Sequence, residues 1–240
     1  MSQAASSAAF DPFRRPPTLT PSQTFSRKPV SRRIPASTIR RLSHYLRSLE
    51  DIEVEGRETV SSEELADRGQ TTAAQVRKDL SHFGSFGKRG LGYRVEELRS
   101  RLRQILGVDR VWRVALIGAG RIGSALFDYP AFATRGYECV AIVDADPKKI
   151  GAQWGALRIR PPEELETLIE GLGIELVILA VPAQAAQQIT DRAVGVGIKG
   201  ILNFAPIRLK VPAHVSVEDV NLVMQLEALS FAITQRTFGV

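Results

Sequence analysis

The 240-residue sequence predicts an α/β protein in two unlike halves, the first basic and helical, the second built on a parallel sheet. Three observations carry this. From Pro35 to about Leu106 apolar residues recur at spacings of three and four, the period of helices that share one core. From Trp112 onward the rhythm changes to short apolar runs at 114–117, 139–143, 176–181 and 201–204, separated by glycines and helical stretches. Strands that are apolar throughout and alternate with helices predict a parallel sheet covered on both faces. Charge divides the chain at the same place. Residues 1–110 hold 20 basic and 13 acidic groups, net +7, and residues 111–240 hold 12 and 13, net −1. That asymmetry points the first half toward a polyanion, although a basic tail on a neutral enzyme would show it too.

Composition removes several classes. The chain is 44% apolar without a run long enough to span a bilayer, so a membrane protein is not expected. Its one cysteine, Cys139, has no partner within the chain, which excludes an internal disulfide and a Cys-rich metal site and favours a reducing compartment, the cytoplasm. No metal ligation is predicted. Residues 1–33 contain five prolines, six serines and one acid, Asp11, with almost no aliphatic periodicity. They read as a disordered basic arm. Arg and Ser with few acids also resemble a transit peptide, but the prolines and the absence of an amphipathic helix speak against it.

The predicted domains are this arm, a unit over 34–107, a sheet domain over 108–219 and a terminal segment over 220–240. In the second, Ile39, Leu42, Leu46, Leu49 and Ile52 define a first helix that opens at Pro35 and ends near Gly56. Ser61 and Glu64 are three apart, a capping box for a short second helix that Gly69 stops. Thr71 or Thr72 caps a third helix running to about Phe83, with Val76 and Leu80 inward. The pair makes a helix-turn-helix. After it, the glycine-rich segment 84–93 forms a tight hairpin with Lys88 and Arg89 near its tip, a basic wing. A fourth helix carries Val95, Leu98, Leu102, Ile105 and Leu106 to the boundary at 107–110.

Gln75, Arg77, Lys78 and Ser81 fall on the outward side of the third helix, followed by His82. From Arg68 to Arg94 there are six cations and one acid, Asp79, a density suited to phosphates on both sides of a major groove. A solvated helix in an interaction domain is the plainer alternative. Gly90 and Tyr93 complete the predicted DNA-contacting set with Lys88 and Arg89 of the wing.

In the sheet domain, Gly118-Ala119-Gly120-Arg121-Ile122-Gly123 follows an apolar strand and opens a helix. Its first glycine permits the turn, its second lets backbone approach a pyrophosphate, and its third lets helix and strand pack closely. Asp144 ends the next strand, 21 residues after Gly123, where an acid would take both ribose hydroxyls and repel a 2′-phosphate. A dinucleotide-binding, Rossmann-type domain that prefers NAD(H) to NADP(H) follows, with Asp146 as a competitor for the acid's role. The alternative is an Asp144 that only caps a turn before Pro147.

The last helix, 220–235, is apolar almost all round, with Leu222, Val223, Met224, Leu226, Leu229, Phe231 and Ile233. Such a helix needs burial on several sides. Insertion between domains or into a second subunit provides it, and packing on its own sheet is the alternative.

Together these residues resemble the Rex family of redox-sensing transcriptional repressors, over residues 34 to about 236. The most specific segments are Gln75-Val76-Arg77-Lys78-Asp79-Leu80-Ser81 with the wing, the glycine turn with Asp144, and Gly197-Ile198-Lys199-Gly200-Ile201-Leu202-Asn203-Phe204-Ala205-Pro206. The resemblance implies a homodimer with N-terminal winged helices and a domain-swapped C-terminal helix. It implies binding to palindromic operator DNA, release when NADH binds, and competition by NAD+. A network of a first-helix Arg, a Tyr after the glycine-turn helix and an Asp at the start of the swapped helix maps onto Arg47, Tyr129 and Asn221. Here an amide stands where the family has the acid, so the ion pair is lost, although Asn221 retains an acceptor and Asp219 lies two residues earlier. Apolar surroundings at Phe204, Ala205 and Pro206 would disfavour the cationic oxidised ring, and Asn203 would orient the carboxamide.

The competing function is an NAD-dependent dehydrogenase with a basic appendage. Hydride transfer needs an acid or base beside the substrate, usually on a second domain. Only about 34 residues follow Pro206, fewer than a domain needs, and His214 is the single histidine among them. A Rossmann-type interaction protein without DNA is the third possibility.

Overall fold

The structure, a computed structural model, describes residues 34–87 and 91–238. The arm predicted over 1–33 and the wing residues Lys88, Arg89 and Gly90 lie outside them.

Helix α1 (Ala36–Val54) starts after Pro35 and buries Leu42, Tyr45, Leu46, Leu49 and Ile52, as their spacing requires. Helix α2 (Ser62–Arg68) is capped by Ser61, whose Oγ accepts the Glu64 N–H at 3.1 Å. The capping box is half made, because the Glu64 carboxylate accepts from Arg57 and Arg68. Helix α3 (Ala73–Ser81) is capped by Thr72, which accepts the Gln75 N–H, and ends two residues before Phe83. Strands β1 (Thr59–Val60) and β2 (Tyr93–Arg94) pair antiparallel. The ladder at the base of the wing therefore encloses α2 and α3, and the partner of β2 is a strand that the local hairpin pattern could not reveal. Helix α4 (Val95–Leu106) lies along α1 with Val95, Leu98 and Leu102 buried, and ends at Gly107 in the left-handed region, φ 70°.

A short linker leads into the sheet. Trp112 Nε1 donates to the Gly107 carbonyl at 2.6 Å, and the Arg110 guanidinium lies 3.6 Å from the centroid of the Trp112 ring. Among the described residues seven strands form one sheet: β3 (Trp112–Ile117), β4 (Tyr137–Val143), β5 (Gln153–Trp154), β6 (Leu157–Arg160), β7 (Leu176–Leu179), β8 (Gly200–Asn203) and β9 (Ser216–Asp219). Their order is β5-β6-β4-β3-β7-β8-β9, parallel except for β5. From β6 to β9 this is the 3-2-1-4-5-6 order of a dinucleotide-binding sheet, with its reversal of direction between β3 and β7. Strands β5, β6 and β9 have no continuous apolar run to announce them, and β9 reads Ser-Val-Glu-Asp.

Helices α5 (Arg121–Phe127), α6 (Pro130–Thr134), α7 (Leu165–Leu172) and α8 (Ala183–Gly195) cover the sheet unequally. On one face Leu165, Ile169, Ala186 and Ala193 bury Ala115, Ile117, Val177 and Leu179. The other face has, among the described residues, α5 and the short α6. The sheet thus has helices on both faces, as expected, but the second is covered thinly within one chain. Two apolar hollows of about 290 and 250 Å³ open over Val114, Tyr137, Cys139, Ile178 and Leu202. Burial in this strip pushes the Cys139 thiol pKa up to about 11. Helix α9 (Leu222–Phe238) leaves its apolar side chains in solvent: Leu222 and Phe231 are each 65% exposed, and Val223, Met224, Leu226 and Leu229 are exposed also. Packing of α9 on its own sheet, the alternative weighed from sequence, is not what the chain does.

Candidate nucleotide groove and nucleic-acid face

The groove forms at the carboxyl ends of β3, β4 and β7, where the strand order reverses, and encloses about 760 Å³. Gly118 has φ 102°, and a Cβ there would land on the Ala180 carbonyl. A Cβ on Gly123 would land on the Gly118 carbonyl, so the third glycine sets how closely α5 approaches β3. A Cβ on Gly120 would meet nothing within 4 Å. That open backbone, at the groove wall, leaves room for a pyrophosphate. Arg121 and Ile122 line the same wall.

Asp144 both lines the groove and caps the turn. Its Oδ2 accepts the Ala119 N–H at 2.6 Å and its Oδ1 the Asp146 N–H at 2.7 Å, which ties the ends of β3 and β4 together. Ala119 is therefore buried and spends its N–H on the protein. Asp146 turns its carboxylate to the Lys148 N–H and does not line the groove. Lys149 does, with Nζ 3.4 Å from Asp144 Oδ2, a cation that the sequence analysis missed five residues after the acid. The far wall is apolar: Val181, Pro182, Ile189, Phe204 and Pro206. Arg121, Asp144 and Lys149 are the ionisable side chains among the lining residues, and His214 is not one of them.

Asn203 is a correction. It is buried, its Nδ2 donates to the Ile207 carbonyl and to Asp219 Oδ1, and its Oδ1 accepts the Ala205 N–H. The amide is consumed in holding the turn that presents Phe204 and Pro206, so it does not orient a ligand. Ala205 is buried beneath that turn.

On the winged unit, α3 exposes Arg77, Lys78 and Ser81 and, just past its end, His82. Arg77 Nη1 also donates to Ser62 Oγ at 2.8 Å, and Ser81 Oγ donates to the Lys78 carbonyl. Tyr93 is the second correction. It is buried in the core of the winged unit, where burial raises its pKa, and it supports β2 instead of meeting a ligand. Gln75 is half-buried and donates through Nε2 to Asp79.

Asp79, noted from sequence only as a lone acid, is the centre of a buried network. Its side chain is 1% exposed and accepts from Arg41 Nε at 2.6 Å, Arg41 Nη2 at 2.8 Å, Tyr45 Oη at 3.1 Å and Thr38 Oγ1 at 3.4 Å. Burial opposes its ionisation, but the hydrogen bonds from Arg41, Gln75 and Tyr45 outweigh that and hold its pKa below the ordinary value. An acid on the inward side of a helix was the available signal; its partners, about 40 residues upstream, were not readable.

Within one chain the three switch positions, Arg47, Tyr129 and Asn221, are all exposed. Asn221 Oδ1 accepts the N–H groups of Val223 and Met224, capping α9. Its acceptor is thus already engaged, and Asp219 is held by Asn203. The ion pairs that tie α1 to the sheet domain are others, Glu50 to Arg135 at 2.6 Å and Arg40 to Glu218 at 3.5 Å.

The family model described as "Putative DNA-binding protein N-terminus" matches residues 33–81, and the one described as "CoA binding domain" matches 109–207. "Redox-sensing transcriptional repressor Rex 1" of Thermotoga maritima is 44% identical over 208 residues, covering 86% of this chain and 99% of that protein. The chain belongs to the Rex family. Rex of Syntrophomonas wolfei is 48% identical over 199 residues, covering 83% of this chain and 95% of its own. Among solved structures, RSP, described as a Rex-family repressor, is similar throughout. Its complex with beta-NAD+ and operator DNA has a TM-score of 0.82 at 37% identity, covering 87% of this chain and 96% of that one. Its complex with beta-NADH has a TM-score of 0.77 at 36% identity, covering 85% and 96%. The relatives are repressors, so the dehydrogenase alternative is not favoured. Among the described residues no helix is long and apolar enough to cross a membrane.

Proposed function

We propose that this Rex-family chain acts in the cytoplasm as a homodimeric repressor that binds palindromic operator DNA and releases it when NADH binds, NAD+ competing for the same groove. The observation that carries the reading is the union, in one chain, of an exposed basic helix in a winged unit with a glycine-turn groove ending in Asp144. The pairing of RSP with NADH, with NAD+ and with operator DNA supports it.

Gly118 and Gly120 admit the pyrophosphate to the backbone, Asp144 accepts from the adenosine ribose, and Gly123 keeps α5 close enough for both. The same adenosine diphosphate portion occurs in coenzyme A, which fits the description of the matched model. Val181, Pro182, Phe204 and Pro206 form the wall for the nicotinamide. An apolar wall disfavours the cationic oxidised ring by desolvation and accepts the neutral reduced one. The ligand shifts the protein only by this difference in affinity between states.

Helix α9 of each subunit inserts over the open sheet face of the other, which buries both the helix and the hollows above Ile178 and Leu202. Recognition helices of a dimer must stand about 34 Å apart, or a multiple, to enter successive major grooves, so a modest rotation of the winged units releases one half-site. In the dimer Arg47, Tyr129 and Asn221 meet at this interface, where Asn221 has only its N–H groups left to offer. Arg77, Lys78, Ser81 and His82, with Lys88, Arg89 and Gly90 of the wing, contact DNA.

Fluorescence anisotropy of a labelled palindromic duplex, titrated first with the protein and then with NADH, NAD+ or coenzyme A, tests the reading. Selective release by NADH supports it; equal release by NADH and NAD+ refutes the sensing, and no binding at low salt refutes the repressor.

A further inference from the structure

The buried network centred on Asp79, in the last turn of α3, reaches one residue that stands at the surface. Going round α3, Val76, Asp79 and Leu80 face the core, Arg77, Lys78 and Ser81 face out, and Gln75 lies on the flank between Asp79 and Lys78, half-buried. Gln75 Nε2 donates to Asp79 Oδ1 at 2.8 Å across one helical turn. Asp79 is held from behind by Nε and Nη2 of Arg41, by Tyr45 and by Thr38, so it cannot turn to follow Gln75.

An ionised carboxylate only accepts hydrogen bonds. The end of the Gln75 amide that faces Asp79 must therefore be its NH₂, and the flip that would turn the carbonyl inward sets oxygen against oxygen. One N–H is spent on Asp79. The carbonyl Oε1 and the second N–H remain, in a fixed sense, for whatever α3 lies against.

We propose that Asp79 is a positioning residue for base recognition: by locking the Gln75 amide with Oε1 outward, it makes Gln75 select adenine, whose N6 amino group donates in the major groove beside the N7 acceptor, in each half-site. In the major groove adenine N6 and cytosine N4 donate, whereas guanine O6 and N7 and thymine O4 accept. Adenine fits best, because its N6–H and N7 match an adjacent carbonyl and N–H. A free glutamine would rotate and accommodate either pattern; the locked one pays an unpaired acceptor against guanine or thymine.

The inference rests on the operator-binding reading above, and the experiment separates the two. A duplex is selected by the wild-type homodimer from a pool with randomised palindromic half-sites, and affinities are measured for every single-base-pair variant of it. Failure to select any sequence refutes operator binding itself. With a selected duplex in hand, Gln75→Ala is expected to flatten discrimination at one position per half-site, where wild type prefers an A·T pair over a G·C pair by about tenfold or more, and to leave the other positions unchanged. Asp79→Asn, whose amide can donate as well as accept, is expected to lose discrimination at that same position, and to lose no more in a Gln75→Ala background. A merely structural Asp79 would weaken binding to all variants equally. Should Asp79→Asn unfold the winged unit, Arg41→Lys, which keeps the charge but loosens the anchor, provides the second variant, with a partial loss at that position alone. The proposal is overturned by a wild-type preference for a G·C pair at the position that Gln75→Ala flattens, by full discrimination retained in Gln75→Ala, or by folded Asp79 variants that discriminate as wild type does.

Discussion

Helix α9 gives the most direct test of assembly. In one chain Leu226 is 63% exposed, on a helix with no polar face to turn toward water. Complete burial of a leucine is worth about 1.5–3 kcal/mol, so the part still exposed corresponds to about 1–2 kcal/mol gained on dimer formation. A homodimer has two such sites, which gives about 2–4 kcal/mol per dimer for the side chain. At 1.4 kcal/mol per tenfold, Leu226→Ala is expected to raise the dimer dissociation constant by roughly 30- to 700-fold. Sedimentation equilibrium of wild type and variant across a concentration series measures it. Since α9 has no packed core of its own to lose, the variant monomer keeps its winged unit and sheet, visible as an unchanged groove response to NADH. A wild-type chain that is monomeric at tens of micromolar, or a variant with an unchanged dissociation constant, would refute the argument that the exposed helix and the open sheet face are two halves of one interface.

Three further outcomes follow from particular contacts. Gly123→Ala puts a methyl group onto the Gly118 carbonyl, an overpacking of about 1–3 kcal/mol; the variant should lose most of its NADH-induced thermal shift while still binding operator. Lys78→Ala removes an exposed cation of α3 and should lower the slope of log affinity against log salt by about 1, leaving sequence preference intact. The α1–α3 network should fail at both extremes of pH. Asp79 ionises more readily when folded, so its contribution is present above its ordinary pKa of 3.8 and is lost as pH falls through the lower folded value. Tyr45 is the opposite case: burial, then the Asp79 charge, push its pKa from 10.0 up to about 12, so its contribution is present below 10 and is lost as pH rises through about 12. Denaturant titrations of the winged unit's helical signal across this range check both limbs, and Tyr45→Phe should remove the alkaline one.

The sites divide by the distance over which their cause acts. Gly118, Gly120 and Gly123 were legible because a strand-to-helix turn constrains its own backbone, and Asp144 because a strand of given length delivers the residue just after it to a predictable place. Asn203 and Tyr93 were misread for one shared reason. Each is a hydrogen-bonding residue in a motif that faces a ligand, but burial is set by what lies opposite, and for both that is the protein itself. Lys149 was passed over because its partner is chosen by the fold of the turn after β4.

The sequence by itself determined the winged helical half, the alternating sheet half, the glycine turn with its acid, and a terminal helix that water could not satisfy on every side. These are consequences of periodicity, local backbone strain and solvation, all properties of neighbours along the chain. Only the tertiary structure decided that one sheet face is left partly uncovered within a single chain, that Asp79 is gripped by Arg41 and Tyr45 from α1, and that Asn221 spends its oxygen capping α9. Those depend on which atoms meet across tens of residues of sequence, where composition and spacing carry no distance.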